Sequence, residues 1–158
     1  MDARLNMFGN ELAARIGKHL VGANQAIAGT DLPASTQELV KIRASQINGC
    51  GFCTDMHTKE AAAAGESAVR LHLVATWREA TVFTAAERAA LELAEEGTRI
   101  ADGAGGVSDE VWARAAQHYD EEQLTALAGL IALINAFNRL NVIARTPAGD
   151  YQPGQFGH

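Results

Sequence analysis

Apolar residues recur at helical spacing along most of the chain. Leu12, Ile16, Leu20 and Ile27 mark one side of a first helix over about 10–28. The run Gly29-Thr30-Asp31-Leu32-Pro33 breaks it. Ser35 or Thr36 is placed to cap a second helix, with Leu39, Ile42 and Ile47 facing inward. Asn48-Gly49 ends that helix, because both residues accept the left-handed conformation. A third helix starts near Cys50 and runs to about Ala64, where Gly65 stops it. Ser67 caps a shorter fourth helix reaching Trp77. Thr84 and Glu87 form a capping box that opens a helix to about Ile100. A glycine-rich loop follows over 102–106, and Ser108 caps a helix to about His118. Asp120 and Gln123 resemble a capping box and start the last helix, which reaches about Ala144.

That last helix is apolar nearly all round. Leu124, Leu127, Ile131, Ile134, Phe137 and Leu140 form its main stripe, and Leu130, Leu133 and Ile143 fall outside it. Such a helix is buried on most sides, which in a small domain implies a subunit interface as well as a core. Its most apolar run, 124–137, is shorter than the roughly 20 residues that span a bilayer. The first 17 residues carry no charged segment followed by an apolar core, so a cytoplasmic protein without a membrane partner is expected.

Composition supports one all-α domain over 1–158, with its core at about 34–145 and an irregular tail at 146–158. Prolines occur only at 33, 147 and 153, and 31 residues are alanine, which suits helices. The 13 basic and 19 acidic residues give a net charge of −6, which argues against a nucleic-acid partner.

The two cysteines, Cys50 and Cys53, are too few for a disulfide scaffold. At a helix start their i, i+3 spacing puts both sulfurs on one face, at a Cα separation suited to a disulfide. The helix N-terminus stabilises thiolate over thiol. His57 lies one turn beyond Cys53 on the same face, within proton-exchange reach directly or through one water. If helices two and three form a hairpin about Asn48-Gly49, Glu38 and His57 both lie roughly 12–15 Å from the turn. A carboxylate there orients the imidazole and raises its basicity. On spacing alone, three readings of the pair stand: redox chemistry, a metal site on Cys50, Cys53 and His57, or inert buried thiols. Covalent haem would need His directly after Cys53, where Thr54 stands, and structural zinc would need a fourth ligand.

Glu38, Cys50, Cys53 and His57 at these spacings resemble the alkylhydroperoxidase D (AhpD)-like branch of the carboxymuconolactone decarboxylase family. Leu39-Val-Lys-Ile-Arg43, Asn48-Gly49 and Lys59-Glu-Ala-Ala-Ala-Ala-Gly65 agree with it, as does the segment around Leu127 and Asn141-Val142. The resemblance implies a helical bundle with a helix-hairpin CxxC site in a single-repeat subunit, since only 37 residues precede Glu38. It also implies a thiol-dependent peroxidase that reduces organic hydroperoxides and assembles as a homo-oligomer, a trimer or hexamer. In that chemistry Cys53 is the peroxidatic thiol, Cys50 the resolving one, and His57 with Glu38 the proton relay. A lipoyl-type or thioredoxin-type dithiol would be the reductant, with no metal or organic cofactor. Two other classes remain beside it: a redox-responsive scaffold protein, and a CxxC-His metal protein without turnover.

Outside this constellation, Trp77 and Trp112 are expected in the core or an interface, and Phe52 to pack. His19, His72 and His118 have no partner spacing. The tail around Tyr151 and Pro153 is expected to wrap a neighbouring subunit.

Overall fold

In the computed structural model, residues 2–103 and 105–156 are described; Met1, Ala104, Gly157 and His158, the last two in the expected tail, lie outside them. The described residues form seven α-helices and no strand: α1 (Glu11–Ala28), α2 (Ala34–Ile47), α3 (Gly51–Ala63), α4 (Ala68–Leu73), α5 (Ala85–Thr98), α6 (Asp109–Ala116) and α7 (Glu121–Ala144). A 3-10 turn, Val74–Thr76, follows α4 and takes up the end of the expected fourth helix.

Local capping sets most boundaries. Glu87 N donates to Thr84 Oγ1 at 3.1 Å, and Thr84 N donates back to Glu87 Oε2 at 2.8 Å. Gln123 N donates to Asp120 Oδ1 at 2.9 Å, with the reciprocal bond also made. Ser67 and Ser108 cap α4 and α6 as their positions imply. The start of α2 differs from expectation. Pro33 is its N-cap, without a side-chain cap bond, and Ser35 and Thr36 lie inside the first turn. Proline's fixed φ presets the helix entry ahead of them, so no hydroxyl cap is required.

α2 is the central element and packs against α3, α5 and α7. One apolar cluster joins Val40 of α2 to Ala90 and Leu93 of α5, Val111 of α6, and Leu127 and Leu130 of α7. A second joins Leu39 and Ile42 to Ala61, Val74, Trp77 and Leu91. Burial of the larger side chains stabilises the fold by about 1.5–3 kcal/mol each relative to exposure. Glu95 ties the clusters together by accepting from Trp77 Nε1 at 3.0 Å and pairing with Arg43 at 2.6 Å and with Arg78. Arg43 lies on α2 and Glu95 on α5, so this buried carboxylate fixes the register between those helices.

The structure bears on three further expectations. No residue of α1 is buried, and Leu12 and Ile16 stand exposed, while Ile27 at its end packs on the core. Trp77 is a core residue, whereas Trp112 is 45 % exposed and lines a surface groove with Ile100 and Ala128. The tail packs on its own chain. Asp55 Oδ2 accepts from Gly149 N at 2.8 Å, Lys59 Nζ donates to Tyr151 O at 2.9 Å, and Tyr151 OH bonds Glu60. Phe8, Phe52, Tyr151 and Phe156 then form one aromatic cluster, closing both chain ends over α3. By length and composition α7 is apolar enough to cross a membrane, a criterion that a buried core helix also meets; here Leu127, Leu130 and Ile134 are buried within the bundle.

Candidate active site

The α2–α3 hairpin builds the site. Asn48 closes α2, and Gly49 turns the chain at φ +65°, a conformation that favours glycine. Cys50 is the N-cap of α3, and its Sγ accepts from Cys53 N at 3.4 Å. A sulfur thus does what Ser or Asp does in other caps, and its charge is stabilised by the helix end. Both cysteines are reduced, at 2 % and 1 % exposure. They pack with Ala44 of α2 and Ile134 of α7.

The thiols share one ionisation. A hydrogen bond from Cys53 lowers the Cys50 thiol to about 7, against the opposing effect of burial, with further help from the Cys53 N–H and Asn138. Cys53 moves upward, because it donates to Cys50, is buried, and faces the Cys50 charge. The pair therefore titrates as a unit, with Cys50 pulled toward thiolate and Cys53 toward thiol.

The hairpin brings Glu38 to His57, as the residue count implies. His57 Nδ1 donates to Glu38 Oε2 at 2.9 Å, and Lys41 Nζ donates to Glu38 Oε1 at 2.8 Å. Burial alone would raise the Glu38 carboxyl, but the His57 hydrogen bond and the charges of His57 and Lys41 hold it at about 2. An ionised carboxylate only accepts, so Nδ1 carries a proton, and Nε2 is the ring nitrogen that Glu38 does not engage. His57 itself is buried and makes no direct hydrogen bond to either sulfur among the described residues. Proton transfer between them needs a bridging group such as one water.

Sequence reasoning missed Lys41 and two α7 amides. Asn141 Nδ2 donates to Cys53 Sγ at 3.4 Å. Asn138 is fully buried, accepts from Asn48 Nδ2 at 2.9 Å and donates to Ser45 Oγ at 3.0 Å. Hydrogen bonding from Asn138 also lowers both thiols. The signal was present: Asn135, Asn138 and Asn141 recur every third residue in an otherwise apolar helix, and buried amides need partners. Beside the sulfurs lies a pocket of about 480 Å³, lined by Cys50, Phe52, Asn141, Val142, Arg145 and the start of the tail. Cys53 is not among its lining residues. No group of three or more His, Cys, Asp or Glu is arranged to hold a metal among the described residues.

Comparison with known proteins agrees with this constellation. Residues 14–96 match the model of the carboxymuconolactone decarboxylase family. The chain belongs to that family, in its AhpD-like branch. It is 39% identical over 142 residues to the uncharacterized protein YdfG of Bacillus subtilis (strain 168), covering 90% of this chain and 94% of that one. A solved structure from Agrobacterium tumefaciens, of a protein of unknown function named as a candidate antioxidant defence protein AhpD, superposes with a TM-score of 0.87 at 31% identity. That match covers 95% of this chain and all of the other. The debrominase Bmp8 shares the fold at a TM-score of 0.75 and 21% identity, over 89% of this chain and 72% of that one. The helical fold is therefore that of the AhpD-like proteins, and Bmp8, a debrominase, shares it.

Proposed function

We propose that this chain is a thiol-dependent peroxidase that reduces organic hydroperoxides through a Cys50/Cys53 dithiol–disulfide cycle, with Glu38 and His57 as its proton relay. The observation that carries this reading is the paired thiol at the N-terminus of α3, with Cys50 ionising near neutrality beside a carboxylate-oriented imidazole. A thiolate attacks one peroxide oxygen: the S–O bond forms, the O–O bond breaks, and the alkoxide takes a proton to leave as alcohol. The second cysteine attacks the sulfenic sulfur, forming the disulfide and releasing water. An external dithiol then reduces the disulfide by exchange. His57 Nε2 is the group that takes and returns the protons.

Cys53 is the attacking sulfur in this reading. Its proton passes to the Cys50 thiolate, and Asn141 N–H stabilises the charge it gains. A specific observation favours the reverse order. Cys50 is the thiol drawn toward ionisation and it lines the pocket, whereas Cys53 does not line it. Single-turnover trapping of sulfenic acid decides between them. The attacking cysteine forms a trappable sulfenate when its partner is Ser; the other single variant forms none. Peroxide consumption with dihydrolipoamide as reductant tests the activity itself, and turnover unchanged in both Cys→Ser variants would remove the peroxidase reading. A change of oligomer size between reduced and oxidised protein, without turnover, would instead favour a redox-responsive scaffold.

A homo-oligomer, a trimer or hexamer, belongs to the proposal. Leu12, Ile16 and Val21 on α1 and Val142 and Ile143 on α7 are exposed apolar residues of the kind an interface covers. The same reading places the protein in the cytoplasm, where reductants keep thiols available.

A further inference from the structure

In a peroxidase, the pocket beside the cysteines is where a substrate would reach the sulfurs. Its walls are apolar where Phe52 and Val142 face it, and Asn141 brings the amide that touches Cys53 Sγ. Arg145 is the one charged residue among those that line it. Arg145 sits four residues beyond Asn141, one helical turn along α7. Arg145 is exposed and its guanidinium makes no hydrogen bond or ion pair among the described residues; Arg4, Arg15 and Arg99 share that property, but Arg145 is the one of them on this pocket's wall. Thr146, next along the wall, has a buried Oγ1 without a hydrogen-bond partner. Buried hydroxyls are rarely left so unless a ligand or water completes them.

The backbone adds to this. Arg145 ends α7 at φ 54°, ψ 50°, the left-handed conformation usually given to Gly or Asn at a helix end. An unpaired cation therefore stands at a position better suited to glycine, on the wall of the reactive pocket. With a net charge of −6, the protein's overall field repels anions, so an anion is held here only by a local donor set. A guanidinium matches a carboxylate, and guanidinium–carboxylate bonds are among the stronger ones. A volume of about 480 Å³ suits a small organic molecule.

Building on the peroxidase reading, we infer that Arg145 and Thr146 form a carboxylate subsite, so that the preferred substrates are small organic hydroperoxides bearing a carboxylate about one helical turn from the peroxide.

Two arms test this. The first needs no turnover. Alkylation of the reduced protein by iodoacetamide is timed at low salt with 4-isopropylbenzoate or its methyl ester. The acid is expected to slow alkylation at least about fivefold more than the ester at equal concentration. Arg145→Gln and Arg145→Gly should abolish that difference, and Arg145→Lys should keep most of it. Arg145→Gly relieves the positive φ, so its loss of preference cannot be assigned to unfolding. The second arm compares kcat/KM for cumene hydroperoxide and its para-carboxylate. The ratio favouring the carboxylate should exceed about ten and approach one in Arg145→Gly. Equal protection by acid and ester, or equal kcat/KM for the two peroxides, overturns the subsite and leaves the peroxidase reading standing. Charge-dependent protection with no consumption of either peroxide supports the subsite and removes the peroxidase reading instead.

Discussion

Replacing Glu38 by Gln should flatten the acid side of this protein's stability profile. Glu38 is a mostly buried carboxylate held at about 2 in the folded chain, below its ordinary 4.5, by His57 and Lys41 against the cost of burial. A carboxyl with a lower folded than unfolded pKa binds more protons when unfolded. Its stabilisation is therefore complete above the unfolded value and is lost as pH falls toward the folded one. A shift from 4.5 to about 2 corresponds to about 3 kcal/mol, nearly all of it lost between pH 5 and pH 2. Gln keeps the shape and does not titrate. Urea unfolding of both proteins at fixed protomer concentration, between pH 5 and pH 2, isolates the effect, because any pH-independent penalty of the substitution cancels. With a urea m-value of about 2 kcal/mol/M, the two midpoints should converge by about 1.5 M across that range. Midpoints that stay parallel to within about 0.3 M would refute the account, since the Glu38–His57–Lys41 contacts would then not hold the carboxylate in solution.

Cys53→Ala removes the main donor to Cys50, so the midpoint of the Cys50 alkylation pH profile should rise from about 7 toward the ordinary thiol range; an unmoved midpoint would assign the lowering to the helix end alone. Asn138→Leu leaves Ser45 without its buried partner and Asn48 with Asn135 alone, and should cost about 1–3 kcal/mol in urea unfolding. The same variant should raise the alkylation midpoint, because a hydrogen bond to the thiolate is lost. Arg145→Gly should stabilise the fold by up to about 1 kcal/mol, because glycine adopts φ 54° without steric cost; lower stability would mean that the Arg145 side chain contributes packing.

Periodicity and capping chemistry are local, and they determined most of the fold. Thr84 and Asp120 start their helices because the bonding partner stands three residues away in the same segment. The spacing of Cys50, Cys53 and His57 on one helix, and of Glu38 across a counted hairpin, made the site's members readable in the same way. What the sequence left open depended on contacts between distant segments. Apolar spacing on α1 reads like a core face, yet in the folded chain Leu12 and Ile16 of that face stand exposed. Trp77 and Trp112 are the same residue type, and only the position of Glu95 and the α2–α5 packing buries one and not the other. The tail's docking on Asp55, Lys59 and Glu60 joins residues more than 90 positions apart, beyond any local pattern. Tertiary structure likewise brought the α7 amides to the thiols: Asn141 reaches Cys53 Sγ, and hydrogen bonding from Asn138 lowers both sulfurs.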